Sequence, residues 1–148
     1  MTELVDQRTG EILEAPDPQT LDEVNHTINV FVHHLSTVSR ELVTKSRELQ
    51  RASTAYKIYK AALIKESSAG EAKQREADAE TALYARDAHD LHDTLPAGQS
   101  IGELKDTLEM EVRILRDRGH DYRAAMTSLQ SVGANLRAEL QALNSVPG

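Results

Sequence analysis

The chain has 148 residues, 28% of them charged and only 3% aromatic, with a net charge of −7 and neither Cys nor Trp. Few aromatics with abundant Ala, Leu, Glu and Arg suit one domain built as a helical bundle or coiled coil. The lack of Cys excludes a disulfide framework, a zinc-finger spacing and thiol catalysis.

Residues 1–19 carry five acids (Glu3, Asp6, Glu11, Glu14, Asp17) and one base, Arg8. Pro16 and Pro18 separate them from the rest of the chain. So short a segment buries too little to offset its ordering entropy, which predicts a flexible acidic tail. The alternative is a small hairpin over Val5–Leu13 that turns at Gly10. The tail has no apolar run of the kind a secretory signal needs. No window reaches the ~18 apolar residues of a membrane span. A cytoplasmic protein is therefore expected.

Residues 20–148 are expected to form one all-α domain. Thr20 and Glu23 make a capping box that opens the first helix, expected over about 20–67. Its seam runs Leu21, Val24, Ile28, Phe31, Leu35, Val38, Leu42, Lys45, Leu49, Ala52, Tyr56, Tyr59, Leu63 in steps of three and four. That is the a/d pattern of a coiled coil, and only Lys45 in it is charged. Ser67-Ser68-Ala69-Gly70 is a weak point where the helix breaks, kinks or continues. A second, Ala-rich helix is expected over about 71–94, with a thin seam of Ala77, Tyr84, Ala88, Leu91 and Leu95. Pro96 and Gly98 then mark the clearest turn in the chain.

Ser100 and Glu103 make another capping box, and a third helix is expected over about 100–144. Its seam is Ile101, Leu104, Leu108, Leu115, Tyr122, Ala125, Leu129, Val132, Leu136, Leu140 and Leu143, interrupted by Glu111 and Arg118. The turn near Pro96 makes its flanks antiparallel. The first and third helices then pair lengthwise, with the second covering part of the seam. Alternatively, the first two form one rod that pairs between subunits. A long exposed seam promotes association, so a homo-oligomer is expected through Leu21, Ile28, Phe31, Leu35, Leu42, Leu49, Tyr56 and Leu63.

Charge is distributed unevenly. Residues 40–65 hold seven bases against Glu41 and Glu48, a net of +5. Residues 66–98 hold eight acids against three bases. With Leu42 at position a, Arg40 and Arg47 fall at f, Arg51 and Lys65 at c, and Lys57 at b. These are solvent-facing positions, and together they form a basic stripe about 35 Å long by helical rise. Such a stripe suits a phosphate backbone, although an ordinary solvated face has the same composition. Tyr56 and Tyr59 sit at core positions, which argues against their use as stacking platforms.

Evidence for other chemistry is thin. His89, His92 and Asp93 would share a face of a continuous helix, a spacing that suits a metal, but no further ligands accompany them. His26 and His33 read as boundary residues. No Gly-rich phosphate loop or nucleophile elbow is present. Glu103 and Asp106 have one of the two carboxylate spacings used by all-helical nucleotide pyrophosphohydrolases to bind magnesium. The companion E-x-x-E occurs only in the tail, at Glu11 and Glu14. No enzyme activity, metal or cofactor is expected.

Two patches carry a resemblance: Ala52-Ser53-Thr54-Ala55-Tyr56-Lys57-Ile58-Tyr59-Lys60-Ala61-Ala62, and Leu129-Gln130-Ser131-Val132-Gly133-Ala134-Asn135-Leu136-Arg137-Ala138-Glu139-Leu140. With the tail Val5-Asp6-Gln7-Arg8-Thr9-Gly10-Glu11-Ile12, they resemble small helical phage early proteins, similar in layout to the UvsY-type recombination mediators. The resemblance implies an oligomer that binds single-stranded DNA and helps load a recombinase. The chain departs from that pattern in being acidic. The alternative function is an acidic coiled-coil module that binds or inhibits a host protein without touching nucleic acid. Asp87, Asp90 and Asp93 would then carry the docking.

Overall fold

The computed structural model describes the backbone of residues 2–5 and 12–15, and then residues 20–68 and 70–145. Its elements are β1 (Thr2–Val5), β2 (Ile12–Ala15), α1 (Leu21–Glu66), α2 (Ala72–Ala85), α3 (Ala88–Leu91) and α4 (Ile101–Asn144). The strands pair antiparallel with Val5 opposite Ile12 and Thr2 opposite Ala15. The strands overlap the expected Val5–Leu13 hairpin only at Val5, Ile12 and Leu13, and extend outward from it. Its expected turn at Gly10 lies outside the described residues.

Both long helices start where their capping residues stand. The Thr20 hydroxyl accepts from the Glu23 N–H at 3.2 Å. At α4 the exchange is reciprocal: Glu103 N–H donates to Ser100 Oγ, and Ser100 N–H donates to Glu103 Oε2. Each bond satisfies a backbone donor that the first helical turn leaves without a partner.

The chain divides into two compact units. One comprises residues up to Leu42 together with those from Ile114 onward. Here Val24, Phe31 and Val38 of α1 are buried against Leu115, Tyr122, Ala125 and Leu129 of α4. The Phe31 and Tyr122 rings lie 5.8 Å apart, and His34 stacks on Tyr122 at 5.6 Å. Gly119 lies against Leu35 and Val38, and Gly133 against Val24. Contacts that descend along α4 as they ascend along α1 define an antiparallel pair.

The other unit, Val43–Arg113, holds the rest of α1, then α2, α3 and the start of α4. Ala52, Leu83, Ala88, Ile101 and Leu108 form its core, flanked by Leu49, Tyr56, Leu63, Leu91, Leu95 and Leu104. Two of the three charged residues that interrupt the seams meet here: Lys45 Nζ lies 3.0 Å from Glu111 Oε2. The Glu111 carboxylate, helped by Glu48, holds the Lys45 ammonium above the ordinary lysine pKa. Both side chains are about two-fifths exposed, so the pair adds little net stability. Its effect is on register, because a slip of α1 on α4 would set each charge against an apolar neighbour. Lys60 joins α1 to α2 through Glu76 at 3.1 Å and Glu80 at 2.9 Å.

Two expectations need correction. The second helix ends at Ala85, well short of 94, because Arg86 turns extended (φ −86°, ψ 138°) and Asp87 caps the separate turn α3. Its buried face is Ala79 and Leu83, while Ala77 and Tyr84 are exposed. An Ala-rich segment offers little contrast between faces, so periodicity alone does not fix its phase. The first-helix seam is covered by α4 and the α2–α3 region of the same chain. Phe31 is buried there, and Leu35, Leu42, Leu49, Tyr56 and Leu63 are partly buried. The distal seam residues Leu140 and Leu143 stay open, 48% and 72% exposed.

Tyr84 seals the base of α4. Its hydroxyl donates to Asp106 Oδ2 at 2.8 Å, and its ring covers Gly102. The hydrogen bond to Asp106 is the main reason the phenol is pushed up to about 12. A raised folded pKa means this stabilisation is complete below about pH 10 and lost as pH rises through about 12. A Cβ on residue 102 would stand 2.7 Å from three atoms of the Tyr84 ring. Gly102→Ala is therefore expected to destabilise the fold by about 1–3 kcal/mol despite the better helix propensity of Ala. In a Tyr84→Ala background the same change should cost much less. Thermal melts of the four proteins check this, and an equal cost in both backgrounds would contradict the contact.

Candidate functional site

The cations of α1 fall into two groups by heptad position. Lys45 and Lys60, at seam and near-seam positions, are ion-paired to Glu111 and to Glu76 and Glu80. Arg47, Arg51, Lys57 and Lys65 are exposed, and none of them forms an ion pair or hydrogen bond among the described residues. Arg40, also exposed, belongs to the other unit and has an interaction of its own. The expected basic face thus stands in Val43–Arg113 as four uncompensated charges. Arg47, Arg51 and, further along, Lys65 recur on one stripe, with Lys57 to its side.

A groove of about 620 Å³ opens on this face. Its α1 wall is Gln50, Arg51, Thr54, Ala55, Ile58 and Tyr59. Its other wall is the loop after α3, through His92, Thr94 and Leu95. Ile58 is 60% exposed, so an apolar surface sits beside an uncompensated guanidinium.

The loop wall is held by a compact hydrogen-bond set. Asp87 caps α3: its Oδ1 accepts from His89 N–H at 2.9 Å and its Oδ2 from Gly98 N–H at 2.7 Å. Those N–H bonds, Gly98 first, hold its carboxyl below the usual carboxylate range. Gly98 itself sits at φ +100°, a conformation that L side chains rarely adopt. Ala88 N–H donates to Gln99 O at 2.9 Å. His89 Nδ1 lies 3.0 Å from Leu95 O, and Thr94 N–H donates to His92 Nδ1. From α1, the Tyr59 hydroxyl donates to Leu91 O at 3.2 Å and ties the loop to the helix.

These contacts revise several sequence-based assignments. Asp87, placed in the docking set of the alternative function, is half-buried and bound to its own loop. Asp90 and Asp93 remain exposed. His89, His92 and Asp93 do not share a helical face, because α3 ends at Leu91 and His92 is extended (φ −155°, ψ 135°). No group of three or more metal-ligating side chains occurs among the described residues. Glu103 is occupied in its capping box, and Asp106 accepts from Tyr84. Tyr59, assigned to the core, also forms part of the groove wall. Gln50, Thr54 and Ile58 were missed. Their spacing with Arg51 marks one outer face of the helix, but nothing local in sequence shows that a loop folds against it.

No protein-family model, curated protein or solved structure matches the chain. The site therefore stands on its own geometry. No helix among the described residues is long and apolar enough to cross a membrane.

A lowered folded pKa at Asp87 means that its contribution is present above the ordinary carboxylate pKa, about 3.9, and lost as pH falls through the folded value. Asp87→Ala is expected to lower the melting temperature at pH 7 and to speed amide exchange at His89 and Gly98. The difference from wild type should begin to narrow below about pH 4, where the unfolded carboxylate takes up its proton, and be lost once pH falls through the lower folded value. A pH-independent difference would contradict the role given to the charge.

Proposed function

We propose that this chain is a non-catalytic accessory protein of phage DNA recombination or replication, which binds single-stranded DNA on the outer face of α1 in the host cytoplasm. The observation that carries this reading is the sorting of cations on one helix. Those facing inward are neutralised by partners, while Arg47, Arg51, Lys57 and Lys65 project without one. A purely structural helix has no use for four uncompensated like charges, which repel one another. A polyanion releases its condensed counterions on meeting them, which favours binding. The resemblance to recombination mediators in the patch 52–62 points the same way, because that patch contains Lys57 and the groove residues Thr54, Ala55, Ile58 and Tyr59. A recombinase is the protein partner this reading implies. A homo-oligomer remains part of this reading, with the partly exposed seam residues Leu21, Ile28, Leu35 and Leu42 as its contact surface.

The acidic-module reading draws support from exposed Asp90 and Asp93 and from the overall charge of −7. Asp87 is engaged by His89 and Gly98 of its own loop, and this reading leaves the basic face unexplained.

Fluorescence anisotropy with a labelled oligonucleotide separates the two. Affinity should fall steeply with salt, by a slope of about −0.7 per phosphate contacted. Replacing Arg47, Arg51, Lys57 and Lys65 together by Ala should flatten that slope by about 3. Lys60→Ala, which removes a cation already held by Glu76 and Glu80, should change it little. Absence of binding at low salt, or a quadruple variant that binds as wild type, contradicts the proposal.

A further inference from the structure

The groove adds something that a basic stripe alone does not have. A phosphate backbone needs only cations on an open surface. Here Arg51 instead borders a recess, and the recess has two kinds of wall. Ile58, Ala55, Tyr59 and Leu95 offer apolar surface, and Ile58 is 60% exposed on it. Gln50, Thr54 and Thr94 bring an amide and hydroxyls, groups that both donate and accept. An apolar recess with a few polar groups and one charge at its edge is the usual form of a small-molecule site.

We infer that this groove receives an unpaired nucleobase of the bound strand, with Arg51 on the adjoining phosphate. The inference rests on the single-stranded DNA reading and deepens it. The volume of about 620 Å³ lies within the range of about 300–1,000 Å³ typical of such sites. The α1 wall from Gln50 to Tyr59 spans about 14 Å by helical rise, room for one or two nucleotides. The charge count also fits. One phosphate accompanies each base, and one formal cation lines the groove. An acidic peptide fits less well, because its carboxylate side chains offer little apolar surface to Ile58, Ala55 and Leu95. A duplex keeps its bases stacked inward and cannot offer one to the groove. The recess therefore makes the site selective for single strands, which cations alone would not.

The test compares the full-length protein on three probes of equal phosphate number: an intact single strand, the same strand with abasic positions, and a duplex. The intact strand should bind several-fold more tightly than the abasic one for each base that the groove takes. Ile58→Gln, an exposed and uncharged change, should weaken the intact strand several-fold and shrink the abasic difference. The salt slope should stay the same, since no cation is removed. Circular dichroism verifies that the variant is folded. Equal binding of intact and abasic strands with an Arg51-dependent salt slope overturns the base groove and leaves the DNA reading standing. No binding of any probe overturns both. Oligoglutamate that binds more tightly than the oligonucleotide, and is weakened by Ile58→Gln, overturns the inference in favour of an acidic peptide.

Discussion

An α-helix of 46 residues with an apolar residue at nearly every third or fourth position cannot leave that stripe in water. The structure is arranged around covering it. In one unit α4 lies along α1 and buries Val24, Phe31 and Val38 under Leu115, Tyr122, Ala125 and Leu129. In the other, α2, α3 and the start of α4 enclose Ala52 with Leu83, Ala88, Ile101 and Leu108. Apolar contacts supply the attraction but discriminate poorly between registers. Lys45 and Glu111 supply that discrimination, since each is a charged exception in its own seam and each faces the other.

Covering one face of α1 determines what its opposite face can do. Charges near the seam are drawn into pairs with acids on neighbouring helices, as Lys60 is with Glu76 and Glu80. Charges on the far side have no neighbouring helix to meet. The acidity of the molecule therefore does not cancel the basic face. The loop after α3 modifies that face by standing against it. Asp87, Gly98 and Tyr59 hold the loop there and convert part of an open stripe into a groove.

The parts of this arrangement legible in sequence are those set by local periodicity or by a cap. The α1 and α4 seams repeat over many turns, and Thr20 and Ser100 mark the starts of their helices. The exposed positions of Arg47, Arg51, Lys57 and Lys65 are set directly by the α1 phase. Where contrast is weak, sequence reading fails. The Ala-rich α2 does not display which of its Ala residues is buried, so pattern alone favours Ala77 and Tyr84 over Ala79 and Leu83. Nor does the chain show that Asp87 ends a helical run by binding backbone on both sides of the adjoining loop. The groove is not legible because its two walls are distant in sequence and meet only after that loop has closed. Lys45 and Glu111 are visible as interruptions. That they are partners depends on the register of two helices, which neither helix states alone.

The central claim is that the seam of α1 is covered by α4 of the same chain. The protein contains no Cys, so an introduced pair reports without background. A Cβ at position 133 would lie 3.3 Å from Cγ1 of Val24, close enough for a disulfide. Val24→Cys with Gly133→Cys, oxidised over a range of protein concentrations and run without reductant, should give a product of one-chain mass and raised mobility at every concentration. Disulfide-linked dimers whose yield grows with concentration would contradict the account and return the seam to an interface between copies.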